Sequence, residues 1–240
     1  MNRVRVKICG VMTPGDAVFA AECGADALGL NFYPKSPRFL TDAAARAMLR
    51  ELTPFVAPVG VFVGTPASEV SATAARLGLR AVQTYTDAAL PFAADEPAAY
   101  LPAFRVKDAA DLDAIRAFVK ACRCAGVLID SFVAGEMGGT GHRAPWDLLA
   151  GFDPGVPVIL AGGLTPDNVA QAIRAVRPWG VDVASGVESS PGVKDAGKVR
   201  AFVQNAQAAG LEGVEFAGGV LTMPLPLPMP PHDTRGVECP

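Results

Sequence analysis

Two side chains in this sequence combine a reactive type with a place at the end of an apolar run. Cys9 closes Lys7-Ile8-Cys9, ahead of Gly10, and Asp130 follows Val127-Leu128-Ile129, ahead of Ser131. A thiol that reaches its thiolate form is a nucleophile or a base. A carboxyl buried after three apolar residues has its charged form disfavoured, which raises its pKa toward that of a general acid at neutral pH. The plainer alternatives are a small buried hydrophobe for Cys9 and a loop cap for Asp130. Arg38 ends Tyr33-Pro34-Lys35-Ser36-Pro37-Arg38, a loop stiffened by two prolines and carrying two cations. Its guanidinium is a planar fork of donors suited to a carboxylate or phosphate, unless the loop is merely solvated surface.

Three small-residue turns complete the set: Gly138-Gly139-Thr140-Gly141, Ala161-Gly162-Gly163-Leu164 and Ala184-Ser185-Gly186-Val187. Without side chains in the way, backbone N–H groups can approach an anion closely. Such turns also make sense with no ligand at all. Gln83 and Tyr85 share one face of a strand and are expected to line a pocket rather than drive chemistry. Asp182 points the same way as Ala184, and Glu188 lies beyond it. Neither takes a role from sequence alone.

These residues need a scaffold that brings them together. Short apolar runs alternate with Ala-rich amphipathic stretches about every 25 residues, a βα period. The candidate strands are Val4 to Gly10, Ala27 to Tyr33, Ala57 to Gly64, Ala81 to Thr86, Leu101 to Lys107, Ala125 to Ser131, Val156 to Gly162 and Gly180 to Gly186. Each is mostly apolar, as strands buried on both faces must be. Thr13-Pro14 and Thr165-Pro166 each set a capping hydroxyl before Pro at a first helical position. Asp16, Asp167 and Asp195 add negative charge to first turns. Asp108 to Arg123 places Leu112, Ile115, Phe118 and Val119 on one face. Asp87 to Ala99 is the weakest helix, interrupted by Pro91 and Pro97.

Eight such units predict a single (β/α)8 TIM barrel over residues 1–210. In that fold the carboxyl ends of the strands form the active site, and the turns after strands 7 and 8 form a phosphate site. Period 2 sends Lys7 and Cys9 to one face of strand 1 and Ile8 to the other. Residues 211–240 differ in character: six prolines and the run Pro224 to Pro231 favour an extended or disordered Pro-rich tail.

Composition removes several function classes. The 240 residues are 50% hydrophobic and 19% charged with a net charge of −3, ordinary for a globular chain. Lys+Arg at 21 against Asp+Glu at 24, with no basic stripe, lacks the footprint of a nucleic-acid binder. The opening MNRVRVKICG has no signal-peptide core, and no run approaches the roughly 18 apolar residues of a membrane span. The chain is expected in the cytoplasm, away from membranes. The cysteines Cys9, Cys23, Cys122, Cys124 and Cys239 have no disulfide-framework spacing, and His142 and His232 stand apart from other ligand types. No metal site is expected, and no protein partner can be named.

Several blocks, taken in order, resemble the phosphoribosylanthranilate isomerase family across nearly all of Val4 to Ala206. They are Val6-Lys7-Ile8-Cys9-Gly10, Gly24-Ala25-Asp26 through Pro34-Lys35-Ser36-Pro37-Arg38, Gly60-Val61-Phe62-Val63, Gly138-Gly139-Thr140-Gly141, Leu160-Ala161-Gly162-Gly163-Leu164, Asn168-Val169, and Ser185-Gly186-Val187-Glu188 with Pro191-Gly192-Val193-Lys194-Asp195. The resemblance implies a cofactor-free Amadori rearrangement of a phosphorylated small molecule in tryptophan biosynthesis. It assigns Asp130 as general acid and Cys9 as general base. Arg38 would anchor the anthranilate carboxylate, and Gly162, Gly163, Ser185 and Gly186 the phosphate, with Gln83 and Gly141 also lining the substrate. Two blocks depart from the family. Val82-Gln83-Thr84-Tyr85-Thr86 stands where the family reads Val-Gln-Leu-His-Gly, and His142-Arg143 stands where it favours an aromatic residue and Asp ahead of the Trp. These departures leave open a paralogue acting on another phosphoribosylamine, and the tail leaves open a non-catalytic phosphosugar-binding protein.

Overall fold

The structure is a computed structural model, and it describes residues 3–85, 98–130 and 146–211. Strands β1 (Arg5–Cys9), β2 (Ala27–Asn31), β3 (Ala57–Val63), β4 (Ala81–Tyr85), β5 (Ala99–Arg105), β6 (Val127–Asp130), β7 (Val158–Ala161) and β8 (Gly180–Val183) pair in sequence order. All eight pairings are parallel, and β8 returns to β1 to close the barrel. The helices between them are α1 (Pro14–Glu22), α2 (Asp42–Glu51), α3 (Ala67–Leu77), α4 (Ala109–Ala121), α5 (Trp146–Leu149) and α6 (Val169–Val176), followed by α7 (Ala196–Leu211). The expected (β/α)8 barrel is the observed fold.

Local chemistry explains most element starts. The Thr13 hydroxyl accepts from the Asp16 N–H at 3.1 Å with Pro14 opening α1, satisfying a donor that a first turn leaves over. Asp108 caps α4 in a capping box with Asp111. Asp195 accepts from the Lys198 N–H at 2.9 Å at the head of α7.

Each strand sends alternate residues outward to the helices and inward to the barrel axis. Val6 and Ile8 of β1 are fully buried in the layer between sheet and helices, where Phe202 of α7 also lies. Ala103, Leu128, Ile159 and Ala161 form a second cluster, packed with Tyr85 and Leu101. Lys7 and Asp182 are register partners of β1 and β8.

Several expected boundaries move. β5 begins at Ala99, two residues early, because Ala99 to Ala103 pair with β4 and Pro102 is accommodated in the ladder. The expected helix Asp87 to Ala99 thus loses its end to β5, and 86–97 lie outside the described residues. α6 starts at Val169 rather than after Pro166, because Asn168 intervenes: its side chain accepts from the Thr165 N–H at 2.8 Å and donates to the Gly163 carbonyl at 2.9 Å. Asp167 is therefore in the preceding turn. β8 ends at Val183, and Ser185–Val187 forms a 3-10 turn leading into a two-stranded ribbon, β9 (Glu188–Ser190) and β10 (Val193–Lys194). Leu211 closes α7, and 212–240 lie outside the described residues.

Candidate active site

The carboxyl ends of the strands surround a cavity of about 320 Å³. Cys9, Arg38, Gln83, Tyr85, Asp130, Gly162, Gly163, Ser185 and Gly186 all line it, with Asn31 and Asp182. Residues as far apart in sequence as Cys9 and Gly186 are thus brought to one mouth. Gly141 lies outside the described residues.

Cys9 faces the cavity from β1 with 8% of its surface exposed. Burial pushes its thiol above the ordinary range, against the pull of the neighbouring Lys7 ammonium. Opposite it in register sits Gly29 of β2. A Cβ there would fall 2.6 Å from the Cys9 sulfur and 3.1 Å from Lys7 Nζ, so the absent side chain makes room for both groups. Lys7 Nζ donates to Asp182 Oδ1 at 2.8 Å. Burial works against this ammonium, but Asp182 outweighs it and holds the pKa above the usual lysine range.

Asp130 ends β6 across the cavity, half-buried rather than buried as expected. Being the last residue of its strand at the rim, its carboxylate meets the cavity instead of the packed layer. Tyr85 carries a phenol pushed upward, chiefly by burial and then by Asp130, and Gln83 hydrogen-bonds to it. It stays protonated. Gln83 itself is 1% exposed, and its Oε1 is a buried acceptor that meets no donor among the described residues.

The loop after β2 is fastened locally. Asn31 Nδ2 donates to Ser36 Oγ at 3.2 Å, and that oxygen also accepts from the Arg38 N–H at 3.1 Å. A turn from Tyr33 to Ser36 leaves Lys35 exposed and away from the cavity, so only one of the loop's two cations faces it. Arg38 lies across Gly10, whose φ is +69° and where a Cβ would meet Arg38 Cδ at 2.3 Å. Its guanidinium grips Glu188, Nε to Oε1 at 2.7 Å and Nη2 to Oε2 at 2.6 Å. Sequence reasoning gave Glu188 no role. Lys194, also missed as a contributor, donates to Glu188 Oε1 at 2.9 Å.

At the seam of β7 and β8, Gly162 and Gly163 adopt φ of +90° and +63°. Gly186 lies so close to Leu164 that a Cβ would sit 1.9 Å from its carbonyl oxygen. Only glycines allow these two turns to nest, and together they form the backbone-lined end of the cavity.

Three comparisons agree. Residues 6–205 match the family described as PRAI: N-(5'phosphoribosyl)anthranilate (PRA) isomerase. A protein of that name from Geobacter metallireducens is 46% identical over 205 residues, covering 85% of this chain and 100% of the relative. Its namesake from Myxococcus xanthus is 47% identical over 209 residues, covering 87% and 98%. Among solved structures, the phosphoribosyl anthranilate isomerase of Thermotoga maritima superposes with a TM-score of 0.77 at 38% identity, covering 85% of this chain and 99% of that one. Another, in complex with reduced 1-(o-carboxyphenylamino)-1-deoxyribulose 5-phosphate, gives 0.74 at 36% identity with the same coverage.

Proposed function

The chain belongs to the N-(5'-phosphoribosyl)anthranilate isomerase family, and on that premise we propose that Cys9 and Asp130 carry the isomerisation as base and acid, with Arg38 and the paired glycine turns holding the two ends of the substrate. The activity is the aldose–ketose isomerisation of tryptophan biosynthesis, converting N-(5'-phosphoribosyl)anthranilate to 1-(2-carboxyphenylamino)-1-deoxyribulose 5-phosphate. The observation that carries the assignment of roles is that Cys9 and Asp130 line one cavity, with a cation and backbone-lined turns at its edges.

The steps follow from the groups present. Asp130 gives its proton to the ring oxygen, the C1′–O bond breaks, and the amine lone pair forms an iminium at C1′. That cation makes the C2′ hydrogen acidic, and Cys9 removes it as thiolate. Electrons from the C2′–H bond form the C1′–C2′ double bond of an enolamine, which tautomerises to the 2′-ketone. Cys9 rests as a thiol, since burial raises its pKa, and becomes the base by releasing its proton to solvent. The positive iminium favours the thiolate when it is needed, and the Lys7 ammonium acts in the same direction. Arg38 pairs with the anthranilate carboxylate. The turns at Gly162, Gly163, Ser185 and Gly186 receive the phosphate through backbone N–H groups.

A phosphorylated, multiply charged substrate stays in the compartment where it is made, which supports a cytoplasmic enzyme. No helix among the described residues is long and apolar enough to cross a membrane. Turnover measured across phosphoribosylamines with different N-substituents tests the reading. The anthranilate compound is expected to be preferred, and preference for another substituent would overturn it.

A further inference from the structure

The anchor proposed for the substrate does not stand alone. Glu188, with only 4% of its side chain exposed, takes the Nε/Nη2 edge of Arg38 in a two-point fork and turns its Oε1 to Lys194 as well. The Lys194 ammonium, 3% exposed, reaches two backbone carbonyls at strand ends: that of Cys9 at 2.7 Å and that of Ala184 at 3.0 Å. A second lysine, Lys198, donates to the Glu188 carbonyl at 2.8 Å and fixes the start of the ribbon. The loops after β1, β2 and β8 are thereby tied together at the mouth by charged side chains.

We infer that Glu188 is a positioning residue for Arg38: it fixes the guanidinium with one edge left toward the cavity, and Lys194 holds Glu188 in place. The inference rests on the role proposed above for Arg38. Its physical content is that a free arginine samples many rotamers, and ordering it on binding costs affinity. Glu188 settles that cost in advance and leaves the remaining guanidinium edge for a carboxylate. Charge supports it too. Arg38, Glu188 and Lys194 sum to one positive charge beside the cavity, which an incoming carboxylate neutralises. Burial opposes ionisation of Glu188, but the hydrogen bonds from Arg38 and Lys194 hold its carboxyl below the usual range, while burial pulls the Lys194 ammonium below the usual lysine range against the pull of Glu188.

The test compares kcat/KM for phosphoribosylanthranilate with that for phosphoribosylaniline, which lacks the carboxylate. Wild type is expected to favour the first, and Glu188→Gln to lower kcat/KM on it by roughly 10- to 100-fold while changing the aniline compound little. In an Arg38→Met background, Glu188→Gln leaves the ratio of the two substrates unmoved. Glu188→Asp, which keeps the charge but shortens the reach, serves if the Gln variant does not fold, and is expected to lower the same ratio. Equal losses on both substrates would make Glu188 merely structural and overturn the inference. A wild type indifferent to the carboxylate would instead overturn the anchoring role of Arg38.

Discussion

The ammonium of Lys7 and the carboxylate of Asp182 meet at 2.8 Å inside the barrel, 5% and 6% exposed, two residues before the cysteine that faces the cavity. A pair this buried is costly to break from one side, because the survivor is left charged and desolvated. Asp182→Asn is expected to lower unfolding free energy by about 3–5 kcal/mol, measured by denaturant titration. Lys7→Met with Asp182→Leu is expected to regain most of that loss, as neither charge then remains. With its folded pKa raised, Lys7 contributes stability that is fully present below the ordinary lysine range and lost only as alkaline pH passes the folded value.

The buried thiol sets a second expectation. Since burial raises Cys9 above the ordinary thiol range, kcat/KM should climb with pH on a limb lying above that of a free cysteine, as should alkylation by iodoacetamide. Lys7→Met removes the charge that opposes the rise and should move both limbs further alkaline. A kcat/KM already flat from pH 6 would contradict this reading of Cys9.

Gly29 offers a steric test. Its added Cβ would meet Cys9 Cα at 3.0 Å as well as the sulfur, and backbone cannot swing away as a side chain can. Gly29→Ala is expected to cost about 1–3 kcal/mol of stability and to slow turnover by up to roughly 100-fold through displacement of the base. Unchanged turnover would show that Cys9 tolerates displacement.

Gln83 separates binding from folding. Its buried Oε1 meets no donor among the described residues, so a substrate hydroxyl or N–H is its natural partner. Gln83→Leu should raise KM while leaving stability within about 1.5 kcal/mol of wild type, because the unsatisfied acceptor is removed together with the bond to Tyr85. An unaltered KM would remove Gln83 from the substrate's contacts.

The sequence was most informative where chemistry is local. Apolar runs gave the eight strands, Thr13 and Asp108 gave two helix starts, and the alternation Lys7, Ile8, Cys9 gave the direction of the thiol. Asn168 misled because its side chain ties the residues before it into a turn, which delays α6. Lys7 with Asp182, and Arg38 with Glu188, were not legible for another reason. The first pair exists only because β8 closes on β1, and the second joins residues 150 apart through a ribbon that follows the last strand. Local pattern carries no information about either meeting. The family blocks contained Arg38 and Glu188, and Lys7 without Asp182, but not the fact that either pair touches.

Removal of the C2′ proton by Cys9 is the step on which the proposed division of roles stands. The most direct measurement generates phosphoribosylanthranilate in situ from anthranilate and phosphoribosyl pyrophosphate and follows its fluorescence with wild type and with Cys9→Ala. Wild type is expected to consume the compound, and the variant to do so at least about 100-fold more slowly while still binding a phosphate-bearing product analogue. Consumption by Cys9→Ala at the wild-type rate would contradict the account and remove the thiol from the mechanism.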